Sequence, residues 1–586
     1  MRTATLLAML CLAAPLTAAP PVASTGSAVD LPAPAKATVV LQLNGWGKAR
    51  TRLTKLIEKA VPGDAKALKE MVESRLLDLL DGRSLKGIDP EGRVFASINE
   101  LRGIGEEKSP IDVFLPVKDA AAFRDAFFKA EERKEMVRKT NGVTSISVNG
   151  NVMFLVEKTG YLIVTASEDR ANEFSGKYEI LNTKKMGTDV SATFLAADVS
   201  IYVDLEKIND AFGDEIKQIR GLIDFGFQNA AGTVPGLDPS QLDAVKDMMK
   251  GVFQVVEDGR ALVVGAEFLP EGLKVRIQGR FEKGSKTGAV LAGEVPEAHA
   301  GLEKMPRGLT EYSASRFGPS VSDAFEKMSR EFSAGEDQDA AAKAIEQFHA
   351  AKKAAGVRGS ITAGRQPDVT VTLTDCQDPA AFVKAYATLL KALPAGASHS
   401  MVVLKEKPAV KESAQTNQGI IFYQVSLVHD FDATAKKLPE AGKEMALEQL
   451  KKQVKEKATF WIGSDGSKVV QVTAPDWVTA KKVLDGLNSV TGVDAAFRAT
   501  RSQLPAEASL FALQETGHVL NGIAEQIGSF GQSVPGLPIE LPKINKVKAA
   551  PSFVGVAVVL KPEIGQLDLF VPADAIGIVR KAFEEK

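Results

Sequence analysis

At 586 residues the chain is too long for one hydrophobic core, and ordinary domain sizes divide it into roughly three to five. Lys and Arg number 72 against 74 Asp and Glu, a formal net charge of -2, which gives no electrostatic case for nucleic acid or an anionic membrane surface. The aromatic residues are mostly Phe (28, beside 6 Tyr and 3 Trp), a set that suits interior packing better than a carbohydrate- or base-stacking surface.

The first segment reads as a secretory signal peptide. Arg2 supplies a short positive region, residues 4–16 (ATLLAMLCLAAPL) form an apolar run, and Thr17, Ala18 and Ala19 are small. The run is too short for a permanent membrane span. Pro20 opposes cleavage after Ala19, so the cut is expected after Ala18 or later, near Ala23 or Ala28. Cys11 follows Leu10 inside the run rather than a small residue at its end, which argues against lipidation. Residues 20–36 are a Pro/Ala/Ser linker too poor in large apolar groups to fold. Cys376 is the one cysteine beyond the signal, so no intramolecular disulfide can form in the mature chain. It reads as a half-buried small side chain at a strand end.

The elements that follow occur twice, in the same order. A strand at residues 38–43 and a helix from Gly47 match residues 309–313 and the helix after Pro319. Residues 92–98 match 356–361. Residues 112–123 match 369–382, each a strand, an Asp and a helix carrying Ala-Ala-Phe. Residues 154–166, turning at Gly160, match 460–474, turning at Gly466. The strand at 197–202 with its long helix matches 508–513 with its helix, and both helices run into a Val-Pro-Gly-Leu loop, at 234–237 and 534–537. Two closing strands at 263–272 match those at 554–565. Chance similarity between apolar strands does not preserve order, so the pattern reads as a tandem duplication. The second copy carries a charged helical insert around residues 438–457, where Leu447, Leu450 and Val454 make a narrow stripe on a solvated helix.

Asp119, Asp204, Asp378 and Asp574 each follow a strand and precede a helix, where a carboxylate accepts from free N–H groups and faces the positive helix end. Capping explains all four without metal or acid/base chemistry. Leu205, Ile208, Phe212, Ile216, Ile219, Ile223 and Phe227 form one continuous apolar face, expected to pack on a sheet or to line an apolar groove. Residues 369–374 (VTVTLT) alternate strictly, as in a strand with one buried and one wet face. With Gly-turn hairpins at 149–151 and 464–467, the expected class is α+β: a tandem duplication of an antiparallel or mixed sheet covered by amphipathic helices.

Catalytic signatures are missing from the sequence. His299, His349, His399, His429 and His518 show no metal-ligand spacing, and His349 and His399 read as solvated. Residues 528–531 (GSFG) lack the first glycine of a nucleophile elbow, and Gly45-Trp46-Gly47 departs from a dinucleotide fingerprint at Lys48. Residues 336–339 (EDQD) lack the glycine and glutamate of a calcium loop. No catalytic, cofactor-binding or metal residue is therefore assigned.

The layout resembles a domain-of-unknown-function family of exported proteins from planctomycete-type bacteria. The resemblance rests on residues 37–45 (ATVVLQLNG), 81–90 (DGRSLKGIDP), 114–127 and 197–225. It implies an exported location and this fold, and brings no activity.

The expected organisation is a signal peptide at 1–23, a linker at 24–37, a first repeat at 38–295 and a second at 305–586. Optional sub-boundaries fall near 190 and 503, and the insert at about 433–457. The expected function is a noncatalytic exported protein of the periplasm or cell envelope that binds or scaffolds another protein. The alternatives are a carrier of an apolar or lipid ligand and, third, an unrecognised hydrolase. Partners are an envelope protein or apolar ligand, with no nucleic acid, no integral membrane span and no cofactor.

Overall fold

The computed structural model describes residues 29–583 apart from 80, 102–110, 140, 234–238, 334–338, 400–401, 439–442, 488–492 and 524–544. The signal peptide, the GSFG segment, both Val-Pro-Gly-Leu loops and all of the EDQD run but Asp339 lie outside these residues. The chain is α+β, and it divides into two compact units: Met1–Gly213, Val256–Glu282 and Ile564–Gly577 in one, and Asp214–Val255, Lys283–Glu563 and Ile578–Lys586 in the other.

The first unit contains β1 (Asp30–Pro34), β2 (Val39–Leu43), β3 (Val94–Ile98), β4 (Ile111–Pro116), β5 (Val137–Arg138), β6 (Val143–Val148), β7 (Asn151–Lys158), β8 (Tyr161–Thr165), β9 (Ile180–Asn182), β10 (Val199–Asp204), β11 (Gly259–Leu269) and β12 (Gly272–Phe281). The β1–β9 pair corrects the linker expectation, since Asp30–Pro34 is a strand that buries Leu31 and Ala33; the other strands form one antiparallel sheet in the order β5-β6-β7-β8-β4-β3-β2-β10-β11-β12. The β6–β7 hairpin closes on Asn149 and Gly150, with φ of 52° and 79°. Two successive positive φ values make the tight turn whose twist matches an antiparallel pair, and Asn-Gly tolerates them best.

The second unit contains β13 (Glu311–Arg316), β14 (Gly359–Arg365), β15 (Val369–Asp375), β16 (Ser398–His399), β17 (Val402–Leu404), β18 (Ala409–Asn417), β19 (Ile420–Asp430), β20 (Lys457–Ser464), β21 (Lys468–Thr473), β22 (Leu510–Glu515) and β23 (Phe553–Lys561). Its antiparallel sheet runs β18-β19-β20-β21-β15-β14-β13-β22-β23, with β16 and β17 attached to β19. The last strand, β24 (Ile564–Pro572), belongs to the first unit, where it pairs with β12 along its whole length.

Two clusters make the first unit's core. On one face Phe95, Phe114, Val143, Phe154, Ile163, Tyr202 and Val263 pack with Phe174, Met186, Val190 and Phe194 from the covering helices. On the other, Val94, Val113, Leu155 and Val164 pack under Phe123, Phe127, Phe128 and Trp46. The insert reads as expected in kind, with a helix at Lys443–Gln453, but Leu450 is buried.

Three of the four expected aspartates lie at helix starts as side-chain acceptors. Asp119 accepts from Ala122 N at 2.9 Å, Asp378 from Ala381 N at 2.9 Å and Asp204 from Lys207 N at 3.2 Å. Asp574 is a correction: the last helix starts at Ala573, so Asp574 lies inside its first turn, where it meets the helix dipole without being the cap. Asp430 and Asp476 cap helices as well, accepting from Ala433 N and Thr479 N. Asp378→Ala removes one acceptor and is expected to lower stability by about 1 kcal/mol, measured by urea unfolding. Asp574→Ala should cost less than half as much.

Candidate binding faces

Period-two alternation places Leu41, Ile201, Val264, Ile277 and Leu567 in one row across β2, β10, β11, β12 and β24, each directly opposite the next. The flanking positions on that face are Val199, Ala266, Val275 and Leu569 on one side and Val203, Leu262, Gly279 and Gly565 on the other. Helical cover over this face lies on β3, β4 and β6–β8, where the Phe123 cluster sits and reaches Leu41 and Val199, and the helix Trp46–Ala60 touches β11 and β12. Leu56 and Ala60 cover one further corner, at Phe268 and Leu273. In between the side chains stay partly open, with Ile201 36%, Ile277 37% and Leu567 37% exposed. The opposite face of the same strands is better covered, with Tyr202, Val263, Gln278 and Phe570 buried, while Lys274, Arg276 and Arg280 of β12 stay half-buried.

Two glycines shape one edge of the open field. A Cβ on Gly279 would lie 3.3 Å from the Phe281 ring, and one on Gly565 3.4 Å from it. Phe281 therefore lies down along the sheet. Beyond it Arg260 ends the apolar positions of β11, held by Glu206 and by Glu282 at 2.7 Å.

The better-covered face holds three buried carboxylates. Asp112 is fully buried, and Arg170 donates to it through Nε at 3.1 Å and through Nη2. Burial raises the Asp112 carboxyl above its ordinary range, and the Arg170 charge opposes that shift. Asp568 receives Arg276 Nε at 2.7 Å. Asp198, at the start of β10, receives Arg52 at 2.8 Å and the Phe268 N–H at 2.8 Å, and burial raises it too. Each carboxylate is locked to a cation within packed side chains, so these are structural pairs, not exposed acid/base groups.

The same alternation in the second unit gives a different surface. Ala512, Ser313, Thr362 and Thr372 stand in one row across β22, β13, β14 and β15, and the Thr362 and Thr372 hydroxyls lie 3.1 Å apart. A cavity of about 140 Å³ beside them is lined by Ser313, Thr362, Thr370 and Gln514. Two larger clefts, of about 340 and 430 Å³, flank the Gly308–Leu309 turn.

The long helix Leu205–Thr233 departs from expectation. Leu205, Ile208, Phe212, Ile216 and Ile223 are half-buried, and Ile219 is exposed. Leu222 and Phe225, outside the expected stripe, are 70% and 62% exposed. The stripe is therefore not a fully packed interface; the Phe227 side chain lies outside the described residues.

The histidines are dispersed. His349, expected to be solvated, has Nδ1 2.8 Å from the Glu326 carboxylate and is mostly buried. His399, also expected in solvent, lies on β16 with Nε2 3.3 Å from the Tyr386 hydroxyl. Sequence spacing could not show this, because Tyr386 reaches it from the preceding helix. His429 is buried, its Nδ1 donating to Lys455 O at 2.7 Å. His299 Nε2 lies 2.9 Å from Ala508 O. Cys376 is buried just after β15, and burial raises its thiol. Among the described residues no group of three His, Cys, Asp or Glu side chains could hold a metal ion. Among them, too, no helix is long and apolar enough to cross a membrane.

No family model and no curated protein matches the chain. A solved structure, crystal form I of TP0453, aligns over 49% of this chain and 98% of its own at 11% identity and a TM-score of 0.19. That score carries no argument about fold or function.

Burial lowers the His399 pKa to about 4, with the nearby His429 adding to the effect. The unfolded imidazole titrates near ~6.5, so as pH falls the unfolded chain takes up a proton that the folded one refuses. Stability is thus expected to fall between pH of about 6.5 and about 4. His399→Gln should flatten that decline, read as the urea midpoint across the window; an unchanged slope would mean His399 does not set it.

Proposed function

We propose that this is a noncatalytic exported protein of the cell envelope that carries an apolar or lipid ligand on the open sheet face of its first unit. The observation behind it is the row from Leu41 to Leu567, which puts no polar side chain on a half-exposed, five-strand apolar field. Four strand spacings make the row about 19 Å long. One leaflet of bilayer hydrocarbon is about 15 Å deep, so an extended acyl chain is a fitting occupant. Covering the open third of each Ile or Leu would contribute roughly 0.5–1 kcal/mol per side chain.

Export rests on the N-terminal apolar run and the family resemblance. Tandem duplication is part of the same proposal, and strand order supports it. The segment β6-β7-β8-β4-β3-β2-β10-β11 has its counterpart in β19-β20-β21-β15-β14-β13-β22-β23. The caps Asp119 and Asp378 follow the corresponding strands β4 and β15. A protein-scaffolding role is the second reading, favoured by the exposed Leu222 and Phe225.

Mass spectrometry of protein purified from its own envelope is expected to show co-purifying lipid. The double variant Ile277→Glu, Leu567→Glu should bind a fluorescent fatty-acid analogue at least tenfold more weakly, about 1.4 kcal/mol. Leu222→Glu should not change it. Equal binding by the face variant and the parent would overturn the carrier reading, and loss of a co-purifying protein in Leu222→Glu would favour the scaffold.

A further inference from the structure

The sequence carries four Asn-Gly pairs: Asn44-Gly45, Asn141-Gly142, Asn149-Gly150 and Asn521-Gly522. Such a pair is chemically reactive. The glycine's backbone nitrogen attacks the asparagine side-chain carbonyl carbon, because no Cβ on the glycine obstructs the approach. The fold decides which pair reacts, since attack needs a side-chain amide free to turn and a nitrogen not already engaged as a donor.

Three of the four are held. Asn44 donates to Leu195 O at 3.3 Å and accepts from Arg93 Nε at 3.2 Å, and Gly45 beside it is buried. Asn521 lies in a helix and grips the Val547 backbone in both directions, at 3.2 and 2.9 Å. Asn141 donates to Asn172 Oδ1 at 2.6 Å and accepts from Val143 N at 3.2 Å, while the Gly142 N–H is spent on Lys139 O at 3.2 Å. Asn149 differs on each count. It and Gly150 are exposed at the tip of the β6–β7 hairpin, and among the described residues neither its side-chain amide nor the Gly150 N–H has a hydrogen-bond partner. A Cβ on Gly150 would meet nothing within 4 Å, so the tip is open on every side.

We propose that Asn149 is a site of spontaneous covalent modification, converted from amide to acid through a cyclic imide. Gly150 N bonds to Asn149 Cγ, the Cγ–Nδ2 bond breaks, and ammonia leaves with the proton that Gly150 N–H gives up. Water then adds to one of the two imide carbonyls and opens the ring. One opening leaves an aspartyl residue at 149, the other an isoaspartyl residue whose main chain runs through the former side chain. No electrons are exchanged, and both products carry a new carboxylate. The hairpin has no slack for the second product. Val148 pairs directly with Asn151 and Ile146 with Met153, and Ile146, Val148 and Met153 are all buried in the core cluster that holds Phe123. An isoaspartyl link adds a main-chain atom to a two-residue loop that closes only with positive φ at both positions. An aspartyl residue tolerates that conformation and leaves the register alone.

The test ages the purified protein in mildly alkaline buffer, folded and in urea, and follows the four asparagine-bearing peptides by mass spectrometry. In the folded protein Asn149 should convert at least tenfold faster than each of the other three, and in urea the four rates should converge. Gly150→Ala sets a Cβ beside the attacking nitrogen and should slow conversion at least tenfold. Since alanine strains the turn at that φ, Asn149→Asp is the second variant. It should keep the parent's urea midpoint, while aged protein rich in isoaspartate unfolds at lower urea. Equal rates at the four sites of the folded protein, or earlier conversion at another of them, overturn the assignment. Isoaspartyl protein with the parent's midpoint overturns the argument from register.

Discussion

An antiparallel sheet commits every second side chain to each face, and everything notable about this protein follows from how that commitment is met. In the first unit the chain supplies helix that buries Tyr202, Val263, Gln278 and Phe570 on one face of β10, β11, β12 and β24, and leaves Ile201, Ile277 and Leu567 exposed on the other. On the better-covered side most polar groups find a partner, although Gln42 Oε1 and Asp112 Oδ1 have none. Gln42 and Ser200 both donate to the Phe194 carbonyl at 2.8 Å, and Thr193 donates to Gln278 at 2.7 Å. A polar group left unpaired there would cost about 1–3 kcal/mol, so these bonds fix how the helix Thr188–Ala196 sits. The open side holds Val, Ile, Leu, Ala and Gly, which ask for no partner and gain only by losing water.

The second unit shows what the same strand pattern looks like when a face is suited to water. Where β2, β3 and β4 present Leu41, Ala96 and Val113, the corresponding β13, β14 and β15 present Ser313, Thr362 and Thr372, while β22 and β23 keep Ala512 and Val556. Isolated exposed hydrophobes are ordinary, but a contiguous row across five strands is the kind of patch that marks contact with another apolar molecule.

Much of this was legible in the chain. The order of elements, the hairpin turns and three of four caps follow from local chemistry: an Asp after a strand, an Asn-Gly between alternating runs, a Pro379 at a helix start. Asp574 failed because the rule locates a helix start only to within a residue, and here the helix begins at Ala573. The long helix failed for a different reason. Its period showed an apolar stripe, yet a stripe reports only that cover would be favourable, not that the chain provides it. The histidines were misread because solvent exposure depends on neighbours distant in sequence, Glu326 for His349 and Tyr386 for His399. The open sheet face was hidden most deeply. Strand β11 is apolar on both faces, and β12 alternates Leu273, Val275 and Ile277 with Lys274, Arg276, Gln278 and Arg280, so ordinary patterning would bury the apolar side, which is the one left open. The row closes only through β24, nearly three hundred residues further along.

The apolar reading has a signature in one variable. An apolar surface binds through area lost from water, and salts excluded from protein surfaces strengthen that effect. Attraction to charge instead weakens with salt, screened within ~8 Å at ~0.15 M ionic strength and within ~3 Å at ~1 M. Raising sodium sulfate should therefore hold or tighten binding of a fatty-acid analogue by the parent protein, and the Ile277→Glu, Leu567→Glu protein should lose that response together with its affinity. The sign of the salt response, more than the size of the affinity, identifies the surface in use.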